Sequence, residues 1–267
     1  MTTQREETSP PAKLRQGQKA LTPEYVAAFA DIPATAPSGG DFHDAFRLDE
    51  DAGDKSPIAV VIGDVAGHGP EQTLQAEHMR ELLSDCLAVG LSPAQTLSAV
   101  NAMIEPDPNF EGFGTVFVGT LEPGTGQLVY ASGGHEPALI APADGDGPDA
   151  VQELDGTGPP VGAFPPAMSR FEEHQAVIPN GGTLLLYTDG LSDVRPPHSR
   201  LEWLGLSRLK ALFVKLAFLS PRRLVSCLLR QVAAFCQGRF IDDVAVVAVK
   251  RTDKTLPKQD GKSELHS

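Results

Sequence analysis

The sequence has few of the residues that mark disulfide-bonded or zinc-binding proteins. Only 3 of its 267 residues are cysteines, and their spacing does not match that of metal ligands. This scarcity excludes a disulfide scaffold and a structural zinc site. We interpret Cys86, Cys227 and Cys236 as reduced thiols in helical, apolar surroundings, as is typical of a cytoplasmic protein.

Long apolar runs and excess positive charge are absent as well. The longest candidate for a membrane span, residues 211–219, is too short and is interrupted by Lys215. The first residues are polar and do not form a signal peptide. Against 35 Asp and Glu there are only 22 Lys and Arg, which gives a net charge of −13. Because phosphate backbones bind basic surfaces, we expect neither a membrane nor a nucleic acid as partner.

Composition predicts one folded body between two tails. Residues 1–20 and 252–267 are polar and lack hydrophobic periodicity, so we expect both to be disordered. Residues 21–251 can bury a sizeable core and contain no linker that demands a second domain.

Within the body, the hydrophobic period alternates between strand and helix. It predicts two helices over residues 70–87 and 93–104, and two more between 204 and 237 that are divided at Ser220–Pro221. Strands are predicted over residues 41–48, 58–62, 113–121, 127–131, 137–140, 171–178, 183–187 and 244–249. We expect the strands at 171–178 and 183–187 to pair across the turn at 179–182. Short turns favour antiparallel sheets, so the pattern predicts an α+β sandwich with helix pairs covering the sheets.

Four aspartates lie at the edges of apolar strands. Asp41 follows two glycines, Asp64 and Asp189 follow strands, and Asp242 precedes one. Carboxylates without cysteine or converging histidine suit Mg²⁺ or Mn²⁺. Two such ions can share a bridging carboxylate and activate a water for in-line attack on a phosphoryl group. Because the water is the nucleophile, this chemistry needs none from the protein, and the chain offers no nucleophile elbow, activated cysteine or Walker loop.

Five ordered motifs carry these aspartates and resemble those of a known family. They are Ser38-Gly-Gly-Asp-Phe-His-Asp44, Gly63-Asp-Val-Ala-Gly-His-Gly69, Ser132-Gly-Gly-His-Glu-Pro137, Tyr187-Thr-Asp-Gly190 and Asp242-Asp-Val-Ala-Val-Val247. In order and spacing they resemble the PPM-type metal-dependent serine/threonine protein phosphatases. The similarity is to the bacterial SpoIIE-like and RsbU-like branch, which acts in sporulation and general stress control, and it covers residues 31–250.

This resemblance implies an α-β-β-α sandwich with two divalent cations, Mn²⁺ or Mg²⁺, at one end of its two mainly antiparallel sheets. By motif, Asp64 bridges the ions and the backbone carbonyl of Val65 helps to bind one of them. Asp189 and Asp242 complete the core site, and Asp41 serves the second ion directly or through water. The implied supporting residues are Asp44, Asp243 and Gly190, with the alternative that Asp44 is a simple turn residue.

Two histidines in the motifs have open roles. His68 stands between two glycines where many members of the family carry Lys, and it could protonate the leaving seryl oxygen, contact phosphate, or be an exposed turn residue. His135 follows two glycines and is expected to make a structural hydrogen bond. The phosphate-gripping Arg of the eukaryotic members has no clear equivalent.

Three functions are compatible with these features. The first is a phosphoserine/phosphothreonine protein phosphatase whose substrate is a small bacterial signalling protein, such as a phosphorylated anti-sigma-factor antagonist, with a separate regulatory protein as a possible partner. The second is a pseudophosphatase that binds a partner, which loss of a metal-binding Asp would favour. The third is a phosphoesterase for small molecules, which a deep pocket over the metals would favour.

The segment 204–237 differs in charge from the rest of the acidic chain. It contains six basic residues and no acidic one: Arg208, Lys210, Lys215, Arg222, Arg223 and Arg230. These charges either solvate the outer face of two covering helices or steer an acidic phosphoprotein towards the aspartates.

Overall fold

The computed structural model describes residues 14–33, 39–67, 69–108, 110–199 and 201–252. Its strands are β1 (Arg15–Ala20), β2 (Tyr25–Ile32), β3 (Asp41–Arg47), β4 (Ile58–Val65), β5 (Gly114–Leu121), β6 (Gln127–Gly133), β7 (Ala138–Ala141), β8 (Gln152–Leu154), β9 (His174–Val177), β10 (Thr183–Tyr187) and β11 (Val244–Arg251). Its α-helices are α1 (Pro70–Ala88), α2 (Pro93–Ile104), α3 (Asp189–Ser192), α4 (Gly205–Leu216) and α5 (Pro221–Phe235).

The strands form two antiparallel sheets that pack face to face. One has six strands in the order β1-β2-β11-β10-β7-β8, and the other has five in the order β3-β4-β5-β6-β9. Helices α4 and α5 cover the six-stranded sheet, while α1 and α2 cover the five-stranded sheet. The expected α-β-β-α sandwich is therefore confirmed.

Three apolar layers hold the sandwich together. The middle layer lies between the sheets and includes Ile62, Phe117 and Val247, all of which are fully buried. The alternate residues of the same strands point outwards and pack under the helices, as Val61 does beneath α1 and α2. Helix boundaries also follow local chemistry: Gln95 Oε1 accepts a hydrogen bond of 3.0 Å from the Ser92 backbone N–H at the start of α2.

Two strand predictions were wrong. Strand β9 does not pair with β10, because β9 joins β6 in the five-stranded sheet while β10 lies between β7 and β11. The turn at 179–182 thus carries the chain from one sheet to the other. Residues 15–20 are not disordered, because they form the edge strand β1, which pairs with β2 over Arg15↔Asp31 to Ala20↔Val26. Their lack of alternation reflects an edge strand that is exposed on nearly every residue.

The outer parts of the predicted tails, residues 1–13 and 253–267, lie outside the described residues. Thr252 is described, and its hydroxyl donates to the Glu24 carbonyl oxygen at 2.9 Å. All three cysteines are free thiols; Cys86 and Cys236 are buried, whereas Cys227 is only partly so. Over the described ranges, no helix has the length and apolarity that crossing a membrane requires.

The turn between α4 and α5 lies at the end of the sandwich where β10 begins and β11 ends. There the Ala217 carbonyl accepts hydrogen bonds from Lys250 Nζ at 2.6 Å and from the Thr183 hydroxyl at 3.4 Å. The exposed Arg222 and Arg223 follow this turn directly. The motif aspartates lie at the opposite end, where β10 ends and β11 begins. The steering interpretation of this arginine pair therefore loses its geometric basis, and solvation of the helix surface remains.

Candidate metal centre

Strand register brings the first two aspartates together. In the antiparallel pairing of β3 with β4, Asp41 lies directly opposite Asp64, and their carboxyl groups are close enough to share a hydrogen bond. Asp64 is the next-to-last residue of β4, and all six residues before it are buried, so the apolar run carries the carboxylate to the rim of the sheet. Both side chains belong to the five-stranded sheet.

The six-stranded sheet contributes the other aspartates at the same end. Asp189 comes two residues after β10, and Asp242 and Asp243 precede β11, which pairs with β10. Asp189, Asp242 and Asp243 all act electrostatically on Asp64. We call Asp41, Asp64, Asp189, Asp242 and Asp243 the carboxylate cluster, and the end of the sandwich that holds it the carboxylate end.

Crowding of negative charge raises the pKa values in the cluster. Burial is the main cause for Asp64, and with the charges of Asp189 and Asp242 it raises the pKa of this carboxyl to about 7. Burial and the Asp64 charge hold the pKa of Asp41 well above its usual range. Burial and the Asp242 charge also raise the pKa of Asp189. Among the described residues, no Lys or Arg forms an ion pair with these three side chains. The cluster is thus suited to cations from outside the chain.

Glycines bring the backbone close to the cluster. A Cβ atom on Gly40 would overlap the Val65 carbonyl oxygen and would lie 2.6 Å from Asp64 Oδ1. One on Gly39 would overlap Asp243 Oδ2, and one on Gly190 would overlap the Asp243 carbonyl oxygen. Gly67 and Gly69 have φ values of +116° and +107°, which favour glycine. Gly39, Gly40 and Gly190 thus leave space around the carboxylate and carbonyl oxygens.

The donors at this end are the type that Mg²⁺ and Mn²⁺ prefer. Four or five carboxylates and the Val65 carbonyl supply hard oxygen ligands without a thiolate or imidazole. Within the described ranges, however, there is no group of three or more His, Cys, Asp or Glu side chains whose arrangement could hold one metal ion. The metal ligands Asp41, Asp64, Val65, Asp189 and Asp242 therefore remain a prediction, which the donor chemistry fits.

The structure places the predicted supporting residues differently. The Gly190 N–H hydrogen-bonds to the Asp189 carboxyl, and the Asp243 charge contributes to the raised pKa of Asp41. Asp44 is not brought to the cluster and is not a turn residue. It lies within β3 and its Oδ2 is 3.4 Å from Arg80 Nη1 of α1. Side chains along a strand point alternately to its two faces. Asp41 and Asp44 are three positions apart, so they lie on opposite faces of β3. His68 lies outside the described residues.

His135 makes the structural hydrogen bond expected of it. Its Nδ1 lies 2.9 Å from the Thr115 hydroxyl, and burial lowers its pKa to about 4, so the ring is neutral at physiological pH. Its neighbour Glu136 was not predicted to belong to the site. Burial and the charges of Asp189 and Asp193 raise the pKa of Glu136, which places it beside the cluster. Its position in the third motif was the available signal.

A comparison with protein-family models bears on these motifs. The family described as Stage II sporulation protein E (SpoIIE) matches residues 54–252. The chain belongs to the SpoIIE family. The match includes Asp64, Asp189 and Asp242, but starts after Asp41.

Curated relatives of this SpoIIE-family chain are longer proteins. Protein IcfG from Synechocystis sp. is 28% identical over 247 residues, which cover 82% of this chain and 37% of IcfG. Phosphoserine phosphatase RsbU from Bacillus subtilis is 25% identical over 179 residues, which cover 67% of this chain and 50% of RsbU. The chain thus spans half or less of these two relatives.

Solved structures confirm the fold. The SiaA-PP2C domain of Pseudomonas aeruginosa matches with a TM-score of 0.69 at 18% identity, covering 84% of this chain and 85% of that one. The RsbU and RsbW domains of Rv1364c from Mycobacterium tuberculosis match with a TM-score of 0.67 at 24% identity, covering 92% and 62%. RsbX in complex with magnesium matches with a TM-score of 0.63 at 12% identity, covering 88% and 99%.

Proposed function

We propose that this chain is a metal-dependent protein phosphatase that hydrolyses phosphoserine or phosphothreonine on a bacterial signalling protein. The observation that carries the proposal is the carboxylate cluster, assembled from both sheets on the motifs of the SpoIIE family. The relative RsbU is named a phosphoserine phosphatase, which supports the reaction class. None of the four motif aspartates is replaced in this chain, so a pseudophosphatase has no support from the site.

In this proposal Asp64, the Val65 carbonyl, Asp189 and Asp242 would hold two divalent cations, with Asp64 shared by both. Asp41 reaches the second cation directly or through water. The cations, when bound, supply a reactive water and stabilise the charge that spreads over the phosphoryl oxygens. The raised pKa values of Asp41 and Asp64 support this assignment, because buried and crowded carboxyl groups gain from neutralisation by cations. The magnesium complex of RsbX, a structural neighbour, is consistent with this choice of ion.

The surface around the carboxylate end supports a protein substrate. A cavity of about 220 Å³ borders Asp41 and Asp243, but its lining does not include Asp64, Asp189 or Asp242. Two exposed apolar residues lie near this end. Ile241 directly precedes Asp242, and Phe113 accepts, through its backbone carbonyl, a hydrogen bond from the N–H of Ala66, two residues after Asp64. Such residues are typical of surfaces that bind proteins.

Within this proposal the substrate is a small phosphoprotein such as an anti-sigma-factor antagonist, and a separate protein regulates the enzyme. Both assignments extend the similarity to the RsbU type of phosphatase. A cytoplasmic location belongs to the same proposal.

The direct test is hydrolysis of a phosphoserine protein with millimolar Mn²⁺ and with a chelator. We expect phosphate release that requires the metal. Asp44→Asn offers a matched control, because this aspartate lies on the other face of β3 and should leave the reaction unchanged. Metal-independent hydrolysis, or none by folded protein at saturating Mn²⁺, would contradict the proposal.

A further inference from the structure

A buried hydroxyl links the two halves of the carboxylate cluster. Thr188 lies between β10 and Asp189 and is fully buried. Its Oγ1 donates a hydrogen bond of 2.8 Å to Asp41 Oδ2, and Asp41 belongs to the opposite sheet. The Thr188 side chain therefore joins the sheet that carries Asp189 to the strand that carries Asp41.

The direction of this hydrogen bond follows from the partners of the hydroxyl. The Ala245 backbone N–H, which can only donate, lies 2.9 Å from Thr188 Oγ1. The hydroxyl accepts that bond, which leaves its single proton for the Asp41 carboxylate. The Thr188 N–H in turn donates to the Ala245 carbonyl at 3.1 Å, so the threonine is fixed at both its backbone and its side chain.

Its place in the chain makes this use of the hydroxyl unusual. Thr188 is the N-cap residue of the short helix α3, with the extended backbone typical of that position. An N-cap threonine normally accepts a hydrogen bond from the first turn of its own helix. Here it makes no such bond. The hydroxyl is committed to Asp41 and β11 instead, which a purely local capping role would not explain.

We infer that Thr188 is a positioning residue: it holds Asp41 by Oδ2 and fixes its rotamer, so that the other carboxylate oxygen, Oδ1, is the one that would serve a cation. This inference rests on the proposed function, because it assigns Asp41 to the second cation. Binding of that cation then depends on a residue that does not touch it. A partner of this kind is commonly responsible for a 10- to 100-fold difference in metal affinity, roughly.

The test is calorimetric titration of Mn²⁺ into the full chain, for the wild type and three variants. Thr188→Val keeps the shape and removes the hydroxyl, while Thr188→Ser restores it. Thr183→Val is the matched control, because Thr183 is also fully buried and lies on β10, but at the end away from the cluster. We expect Thr188→Val to weaken binding of one Mn²⁺ by about tenfold or more. Thr188→Ser and Thr183→Val should bind within about twofold of the wild type.

Activity at varied Mn²⁺ gives a second measure. Thr188→Val should need a higher Mn²⁺ concentration for half-maximal rate and should recover most of its kcat at saturation. Equal Mn²⁺ affinity in Thr188→Val and the wild type would overturn the role of Thr188 and leave the proposed function intact. Equal weakening by Thr183→Val would also overturn it, because general loosening would then be the cause. A wild-type chain that binds no Mn²⁺ would overturn the proposed function and this inference together.

Discussion

Replacing Asp64 by Asn should make the metal-free protein more stable while abolishing its activity. Burial and neighbouring charges raise the pKa of Asp64 from 3.8 to about 7. Because the pKa of Asp64 is higher in the folded chain than in the unfolded chain, protonation of Asp64 stabilises the fold. This contribution to the free energy of unfolding is complete below pH 3.8 and is lost as the pH rises through about 7. The metal-free wild type should therefore lose stability between about pH 4 and pH 8, and Asn should remove most of that loss.

The magnitude follows from the size of the shift. At about 1.4 kcal/mol per pKa unit, ionising Asp64 in the folded state costs about 4 kcal/mol relative to the unfolded chain. An Asn amide also loses hydration on burial, so we expect a net gain of about 1–3 kcal/mol at pH 8. In a domain of this size that gain raises Tm by about 3–10 °C. At pH 4 the two proteins should differ little, because Asp64 is then protonated in the folded wild type.

Thermal unfolding at several pH values, in chelator and then in millimolar Mn²⁺, measures both effects. We expect Mn²⁺ to raise the Tm of the wild type strongly and that of Asp64→Asn much less, with loss of phosphatase activity in the variant. Asp149→Asn makes the same chemical change at an exposed position in a short 3-10 helix, residues 148–150, and should alter neither quantity. If Asp64→Asn is less stable than the wild type in chelator at pH 8, the electrostatic reasoning is refuted.

Three further predictions concern other parts of the molecule. Asp189→Asn should abolish Mn²⁺-dependent phosphatase activity without unfolding the chain, and a folded variant with near wild-type kcat would contradict the two-cation assignment. Arg251→Met should lower the free energy of unfolding by about 3–5 kcal/mol in a urea titration, because it removes the guanidinium that balances the charge of the buried Glu24 carboxylate, 2.8 Å from Arg251 Nε, whereas adding Glu24→Gln should recover part of the loss. Replacing Arg222 and Arg223 by Gln should leave kcat/KM unchanged for both a phosphoprotein and para-nitrophenyl phosphate at low salt, since the pair lies away from the carboxylate end; a loss on the phosphoprotein alone would restore the steering interpretation.

Local sequence patterns were sufficient to predict the elements and the layers. Apolar residues at helical spacing predicted α1 and α2, and Ser220–Pro221 marked the division between α4 and α5. Alternation could not decide which strands pair. A turn such as 179–182 suggests a hairpin, but β9 and β10 each pair with a strand far away in sequence. The polar edge strand β1 carried no apolar signal at all.

The sequence predicted the aspartates of the site but not the residues that surround them. Position at the edge of an apolar strand was enough to select Asp41, Asp64 and Asp189, because a buried carboxylate persists only where something cationic meets it. That rule does not say to which face of the sheet a side chain points. It could not separate Asp41 from Asp44, which lie on opposite faces of β3, and it had no reason to include Glu136.

Thr188 shows why such a site cannot be completed from sequence. Its hydroxyl meets a carboxylate 147 positions earlier in the chain, and the contact exists only because two separate sheets stack with their ends aligned. Neither partner has an unusual local pattern, and threonine at a helix start is ordinarily explained by capping. The cluster divides its charges between the sheets: Asp41 and Asp64 on one, Asp189 and Asp242 on the other. The proposed cation pair would therefore tie the two sheets together, so stability, metal affinity and activity should change together when this end of the sandwich is altered.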